Sequence, residues 1–435
     1  MTTPRVTAFT VPASSEDLTI VDNKLFKAIC LHQILDPTNG GNRFCKLVLM
    51  AFMSVSLSVQ IMQLVGLYFA VNDLQRFAFT TTTLSYAFLC MTKDYVLLAH
   101  ADRLRDSLEV ARFEFTSCGA RDQRVVRRSR AVLSMVLRTF AMLSWSTCVI
   151  WALVPLFMMD EYLQVTNADD TVSRYRVTIF NMWLPVPVAV YNATPIWSLI
   201  YMVEVIACLF TSFSWLLFDS YVVTMCVTFN AQLRTVSASC ATIGHRDCFA
   251  SLSPHVCTGT HIIKIDDNSI LSNCYDELII HIKDNQNIIK KYDDFFEIIQ
   301  PVVLFQIIAG SYSVITLIFL TALSYLMGWS IISGPVLKVF FGFLSLTFEL
   351  FLYCYVFNHI ETEKCKMNFG LYSSNWTAMD LKFKKTLLFA MNVNSAHRRV
   401  MKVTPTSIIN LEMFANVMNM AYSIVSVLLN SRVQK

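Results

Sequence analysis

From Leu47 to Val71 the chain carries no charged residue, and a helix needs roughly 20 apolar residues to cross a bilayer. Six further stretches of this kind follow. They are Phe77–Leu98, with Lys93 and Asp94 near its end; Ala131–Met159, with Arg138; Ile196–Thr228, with Glu204 and Asp219; Ile298–Leu326, in a charge-free run that continues to Leu337; Val336–Ile360, with Lys338 and Glu349; and Glu412–Ser431. The runs are too long for strands and lack period-two alternation, so the spans are helices. Charged residues make up 15% of the chain, against about 25% in an ordinary soluble domain. The long apolar runs argue against a water-soluble enzyme, and 55% hydrophobic residues exclude a disordered chain. The predicted fold is all-α, a polytopic membrane protein of seven transmembrane helices.

Lys and Arg in the connections set the orientation. The N-terminal segment through Lys46 has five, residues 99–130 eight, residues 229–297 six and residues 361–405 eight. The intervening connections have one, two and none, and the tail after Ser431 has two. The 27 on one side against five on the other place the N terminus in the cytoplasm and the C terminus outside. That is opposite to a G-protein-coupled receptor. The excess of basic residues lies in the cytoplasmic loops, so the net charge of +4 does not mark a nucleic-acid binder. No charged-then-apolar signal pattern opens the chain, and the first span is expected to target it to the membrane. The thirteen Cys are an odd number and none falls in an expected outer connection, so no structural disulfide is expected.

Four segments follow. Residues 1–46 form a cytoplasmic lead, in which Asp22–Leu35 has Leu25, Phe26, Ile29 and Leu31 spaced for a short amphipathic helix on the membrane. Pro37, Asn39, Gly40 and Gly41 end it. Residues 47–358 hold the first six spans, 359–405 a cytoplasmic segment with a second amphipathic stretch at Met379–Met391, and 406–435 the last span with a short tail. The third connection, 160–195, is acidic and then rich in Trp183, Pro185 and Pro187, long enough to cover the mouth of a bundle. Asn192 heads a glycosylation sequon there, weakened by Pro195, whereas Asn375 heads one on the cytoplasmic side. Residues 236–275 are rich in Ser, Thr, Cys and His (Cys240, Cys248, Cys257, Cys274, His245, His255, His261). They lack a short Cys-x-x-Cys clamp and read as a flexible insertion with no metal. Ile279, Ile280, Ile288, Ile289, Tyr292 and Phe296 then keep helical spacing into the fifth span, which extends as a helix into the cytoplasm. No internal repeat of the kind found in transporters occurs.

No phosphate loop, His-Glu-x-x-His or Gly-x-Ser-x-Gly motif appears, so the chain is not read as an enzyme and needs no cofactor. In the last span Glu412, Asn416, Asn419, Ser423, Ser426 and Asn430 fall within an arc of about 80° at 100° per residue. Such a stripe is costly against lipid. It faces neighbouring helices of one bundle, or it lines a pore where several copies meet, with Val427 beside it as an apolar closure. Arg138 reads as a snorkelling side chain, and Asp219 as a solvated group near the inner end of its helix. Glu204 and Glu349 lie deeper, with a polar partner or a cavity to define. Aromatic and small polar residues cluster in the outer halves of spans: Phe77, Phe79, Thr80, Thr83 and Tyr86; Trp145, Thr147, Cys148 and Trp151; Trp197, Tyr201 and Val205; Phe340, Phe341 and Phe343. These are packing and interface belt, or they enclose a small hydrophobic ligand oriented by a hydroxyl or two.

The C-terminal third resembles the insect odorant receptors. Tyr372-Ser-Ser-Asn-Trp376, Asp380 and the basic Lys382–Lys385 stretch look like that family's cytoplasmic anchor. Pro405, Leu411-Glu-Met-Phe414 and Ala421-Tyr-Ser423 look like its last-helix pattern. The 236–275 insertion has no counterpart in that pattern. The chain looks like a tuning subunit rather than the co-receptor. The resemblance implies a ligand-gated, nonselective cation channel, a heterotetramer with co-receptor subunits, in the plasma membrane of a sensory neuron dendrite. It implies a volatile ligand held by Phe79, Thr80, Thr83, Tyr86, Thr147, Cys148, Trp151, Tyr201, Val205, Phe340 and Phe341. It implies a pore lined by Glu412, Asn416, Asn419, Ser423, Ser426 and Asn430 and gated at Val427, with Tyr372 and Trp376 in assembly and Ser431 replacing an apolar gate residue of the co-receptor. The sequence alone leaves two other classes open: a receptor acting through a soluble partner, and a secondary transporter.

Overall fold

The computed structural model describes residues 19–21, 23–35, 42–71, 73–118, 123–159, 161–166, 172–182, 184–245, 267–328, 333–396, 400–402 and 408–433. Its helices are α1 (Asn23–Ala28), α2 (Leu31–Leu35), α3 (Asn42–Phe69), α4 (Leu74–Ala99), α5 (Ala101–Ser107), α6 (Gln123–Phe157), α7 (Val188–Asn192), α8 (Thr194–Thr242), α9 (Asp267–Leu326), α10 (Gly334–Tyr372), α11 (Leu381–Ala396) and α12 (Leu411–Val433). Between α6 and α7 lies an antiparallel hairpin, β1 (Tyr162–Thr166) and β2 (Val172–Arg176), with Tyr162 opposite Arg176 and Thr166 opposite Val172. The starts of several helices can be read from single residues. Asp73 accepts the backbone N–H groups of Gln75 and Arg76 at 3.1 Å, which caps α4. Asp380 and Asn410 do the same for α11 and α12 at 2.9 Å. Pro195 and Pro335 sit in the first turns of α8 and α10, where a missing N–H costs nothing.

Among the described residues six helices are long and apolar enough to cross a membrane: α3, α6, α8, α9, α10 and α12. The predicted second span forms as α4, 26 residues long, but its Thr80–Thr83 run, Lys93 and Asp94 hold it below that apolarity. Its position explains how it tolerates them. It packs on α3, α8 and α9, and the hydroxyls of Thr81, Thr82 and Thr83 return to carbonyls of their own helix at 2.7–3.0 Å, so few polar groups are left unsatisfied.

The core runs along α8, α9 and α10. The most apolar windows of α9 and α10 are 56% buried, against 6% for α12. At about 1.5 Å per residue, the 49 residues of α8 and the 60 of α9 outreach a bilayer core of about 30 Å more than twofold. Residues 236–242 finish α8 and residues 267–275 begin α9; Cys248, His255, Cys257 and His261 lie outside the described residues. Where α8 and α10 meet at their C-terminal ends, Gly370 allows the approach. A β-carbon there would fall on the backbone carbonyl and hydroxyl of Ser237. Gly370→Ala is therefore expected to force the helices apart and cost about 1–3 kcal/mol, read as a lower unfolding temperature in detergent.

The N-terminal segment differs from its expected form. The amphipathic stretch is broken at Cys30, whose φ is 59°, into α1 and α2. Phe26, Ile29, Leu31, Ile34 and Leu35 turn into the protein core, where α2 meets α3 and α5. The spacing gave the buried face correctly, but protein covers it rather than lipid.

Candidate functional site

Between α3, α4, α6, α8, α9 and α10 lies a cavity of about 100 Å³. Phe79, Thr83 and Tyr86 of α4 and Thr147, Cys148 and Trp151 of α6 are on its wall. Phe79 stacks on Trp151 at 5.9 Å between ring centres, and Trp151 meets Phe180 of the α6–α7 connection at 6.3 Å. The Thr147 hydroxyl lies 2.6 Å from that of Ser345. Cys148 faces Cys208 with 3.7 Å between sulfurs.

The other sequence candidates stand elsewhere. Tyr201 donates its hydroxyl to the Ala152 carbonyl at 2.7 Å, pinning α8 to α6 outside the cavity. Thr80 is buried, but neither it nor Val205 lines the space. Phe340 is half exposed and stacks edge-on against Phe341 at 5.8 Å. On α10 the wall is instead Gly342, Ser345 and Leu346. Aromatic side chains occupy volume, and a hole needs small residues beside them. A β-carbon on Gly342 would come within 3.3 Å of the Trp151 ring. Two further wall residues carry unsatisfied polar atoms: the side-chain carbonyl of Gln63, 3% exposed on α3, and the indole N–H of Trp215 on α8.

A turn of the connection between α6 and α7 roofs the cavity, and Glu204 holds it there. One carboxylate oxygen accepts Ile179 N–H at 2.6 Å and Phe180 N–H at 3.1 Å; the other accepts the Thr178 hydroxyl and Met182 N–H, both at 3.1 Å. The Lys338 ammonium donates to the Ile179 carbonyl and lies 5.0 and 4.9 Å from the ring centres of Phe79 and Trp151. Trp151 donates its indole N–H to the Lys338 carbonyl at 3.0 Å. Glu204 thus positions Phe180 over the aromatic wall. Glu204→Gln replaces a four-fold acceptor by an amide with two competing donors, and hydrogen bonds to a charged group are worth about 1.5–3 kcal/mol. Amide exchange at residues 178–182 is expected to rise at least about tenfold, as mass-spectrometric hydrogen exchange would show.

Below the cavity the hydroxyl of Tyr86 donates to Glu349 at 2.8 Å. Glu349 is held by Lys93 at 3.0 Å, and Lys93 reaches Asp219 at 2.8 Å. Tyr353 donates to Asp219 at 2.6 Å. All of Lys93, Asp219 and Glu349 are at most 1% exposed, so the reading of Asp219 as a solvated end group is corrected: it is a buried partner of Lys93. Asp94 accepts the Ser214 hydroxyl at 2.5 Å. The cluster binds α4, α8 and α10 together in the middle of the bundle and touches the cavity through Tyr86.

α12 packs on α9 and α10 through Met413, Phe414, Val417, Met418 and the fully buried Ala421, with Phe414 edge-on to Phe351 at 5.5 Å. Glu412, Asn416, Asn419, Ser423 and Asn430 are exposed, Ser426 is half-buried and Val427 is 70% exposed. The polar stripe therefore does not face the helices of its own bundle.

Tyr372 is exposed and its ring lies 6.1 Å from that of Trp376. Between them Asn375 donates its backbone N–H to Ile243 at 3.0 Å and its side-chain amide to Gly244 at 3.1 Å, docking the segment on the end of α8. The side chain of Asn192 braces β2, accepting Arg176 N–H at 2.9 Å and donating to the Arg174 carbonyl at 2.8 Å; a glycan on that nitrogen would have to break the second bond.

A family model described as 7tm Odorant receptor matches residues 73–422. The curated proteins compared give no match. Among solved structures, the insect olfactory receptor OR5 from Machilis hrabei in complex with eugenol has a TM-score of 0.71 at 13% identity, covering 94% of this chain and 98% of that one. A structure of the same receptor, described without a ligand, has a TM-score of 0.69 at 12% identity, covering 93% and 97%. At such identities the likeness is one of fold.

Proposed function

Since the chain belongs to the 7tm odorant receptor family, we propose that it is a ligand-tuning subunit, binding a small volatile in the α3–α10 cavity and gating a nonselective cation channel with co-receptor subunits. The observation that carries the ligand reading is the cavity itself: an aromatic wall of Phe79, Trp151 and Phe180, with an unsatisfied acceptor on Gln63 and an unsatisfied donor on Trp215. A buried polar atom without a partner costs about 1–3 kcal/mol. A ligand hydroxyl, which donates and accepts, recovers part of that at both residues. Weakly polar alcohols and phenols are the favoured class. Eugenol, present in the OR5 complex, is the first probe. Gln63→Leu is expected to raise the EC50 of a hydroxyl-bearing agonist about tenfold and to leave that of its methyl ether nearly unchanged, as paired dose-response curves would show.

The channel reading is supported by α12. Its polar stripe is exposed in the single chain, an arrangement that lipid would penalise. Copies meeting on an axis would hide it in water, with Val427 on the pore side as the gate. Agonist opens the channel by binding the open arrangement more tightly than the closed one. With seven spans, α4 included, the N terminus is cytoplasmic, and the Tyr372–Trp376 segment takes part in assembly beneath the pore.

Whole-cell recording tests this reading, with the chain expressed alone and then with an insect co-receptor subunit. Rapid cation current on co-expression only, insensitive to blocked G-protein exchange, is the expected result. A response that requires nucleotide exchange would refute it.

A further inference from the structure

At the opposite end of the bundle, roughly 40 Å along α8 from Trp215, two parts of the chain converge on one buried group. Cys118 closes the connection that follows α5, and His281 and Asp284 lie on α9. The Cys118 sulfur is 3.1 Å from Nδ1 of His281 and 3.9 Å from Oδ2 of Asp284, and one donor atom from each residue lies within 4.8 Å of the other two. The three are 1%, 2% and 9% exposed. From these residues we infer that the chain holds a structural Zn²⁺ ion through Cys118, His281 and Asp284.

Three considerations converge on zinc. A tetrahedral ion with Zn–S of about 2.3 Å and Zn–N and Zn–O of about 2.0 Å separates its donors by about 3.3–3.5 Å; the observed 3.1 and 3.9 Å straddle that range. Thiol, imidazole and carboxylate together suit Zn²⁺, whereas Mg²⁺ and Ca²⁺ prefer an all-oxygen set. An outer layer is also present. The Ser117 N–H and hydroxyl hold the Asp284 carboxylate at 3.0 and 2.5 Å. Nε2 of His281 faces the Glu277 carboxylate, 3.7 Å away and one turn along the helix. A carboxylate behind the second nitrogen is the usual means of aiming a ligating imidazole. With three protein ligands, the fourth position of the tetrahedron is left to a water molecule. The ion fastens the α5–α6 connection to α9, a clamp independent of the odorant reading.

Zinc content of the full-length protein, purified in detergent without chelator, tests this inference. Mass spectrometry is expected to find about one zinc per chain, falling to background in Cys118→Ser and in His281→Ala but not in Cys365→Ser, which alters an exposed thiol. Wild-type protein that binds no zinc even after incubation with the ion overturns the assignment, as does a Cys118→Ser protein with undiminished zinc. Should Cys118→Ser fail to fold, cobalt-exchanged wild-type protein decides: a thiolate-to-cobalt charge-transfer band is expected, and its absence refutes the site.

Discussion

Lys93→Met is expected to reduce surface expression of the receptor to near background. The substitution leaves Asp219 and Glu349 as two unpaired carboxylates, each about 1% exposed, in the middle of the bundle. Removing one partner of a buried ion pair costs about 3–5 kcal/mol, a large part of the 5–15 kcal/mol that holds a typical domain folded. Tyr86 and Tyr353 still donate to the carboxylates, but neither brings a compensating charge. Asp219→Asn is expected to be milder, because Lys93 keeps Glu349 at 3.0 Å. The triple variant Lys93→Met/Asp219→Asn/Glu349→Gln removes charge from all three and is expected to recover most of the expression. Surface biotinylation checks the series. Normal expression of Lys93→Met would mean that water or another cation neutralises the carboxylates.

Trp151→Ala is expected to move agonist response without moving assembly. Its ring is shared by Phe79, Phe180 and the Lys338 ammonium, and it forms part of the cavity wall. Losing an aromatic contact of this size costs about 2 kcal/mol of ligand binding, or roughly thirtyfold in EC50. Trp151→Phe keeps the ring but loses the 3.0 Å bond to the Lys338 carbonyl, and is expected to shift EC50 by less than about tenfold. Dose-response curves at matched surface expression separate the two. An unchanged EC50 in Trp151→Ala would place the ligand elsewhere.

The sequence made the helices legible because hydrophobic runs report their length directly. The caps at Asp73, Asp380 and Asn410 and the two proline starts fix helix ends that the runs alone did not place. Other features depend on distances that no local pattern carries. Lys93 and Glu349 are 256 positions apart and Lys93 and Asp219 are 126 apart, so Asp219 read as solvated and the polar partner expected for Glu349 had no name. The cavity was partly legible. Aromatic enrichment located Phe79, Tyr86 and Trp151, but also drew in the exposed Phe340 and the half-buried Phe341, neither of which lines the cavity. The small residues that create the space, Gly342 and Ala207 among them, give no signal of their own. The meeting of Cys118 with His281, 163 positions apart, likewise has no local spacing that would announce it. The α6–α7 connection read as a segment long enough to cover the mouth of the bundle, but its β1–β2 hairpin and the Glu204-capped turn arise from pairing within the loop and with α8.

The most direct test of the account is a cryo-electron-microscopy structure of this chain with a co-receptor subunit and a hydroxyl-bearing agonist. The account predicts ligand density between Phe79, Trp151 and Phe180, with its oxygen within hydrogen-bonding distance of Gln63 or Trp215. It also predicts α12 on the axis, with Asn416, Asn419 and Ser423 facing the conduction path. An empty cavity with agonist bound elsewhere, or an α12 stripe turned toward lipid, would contradict it.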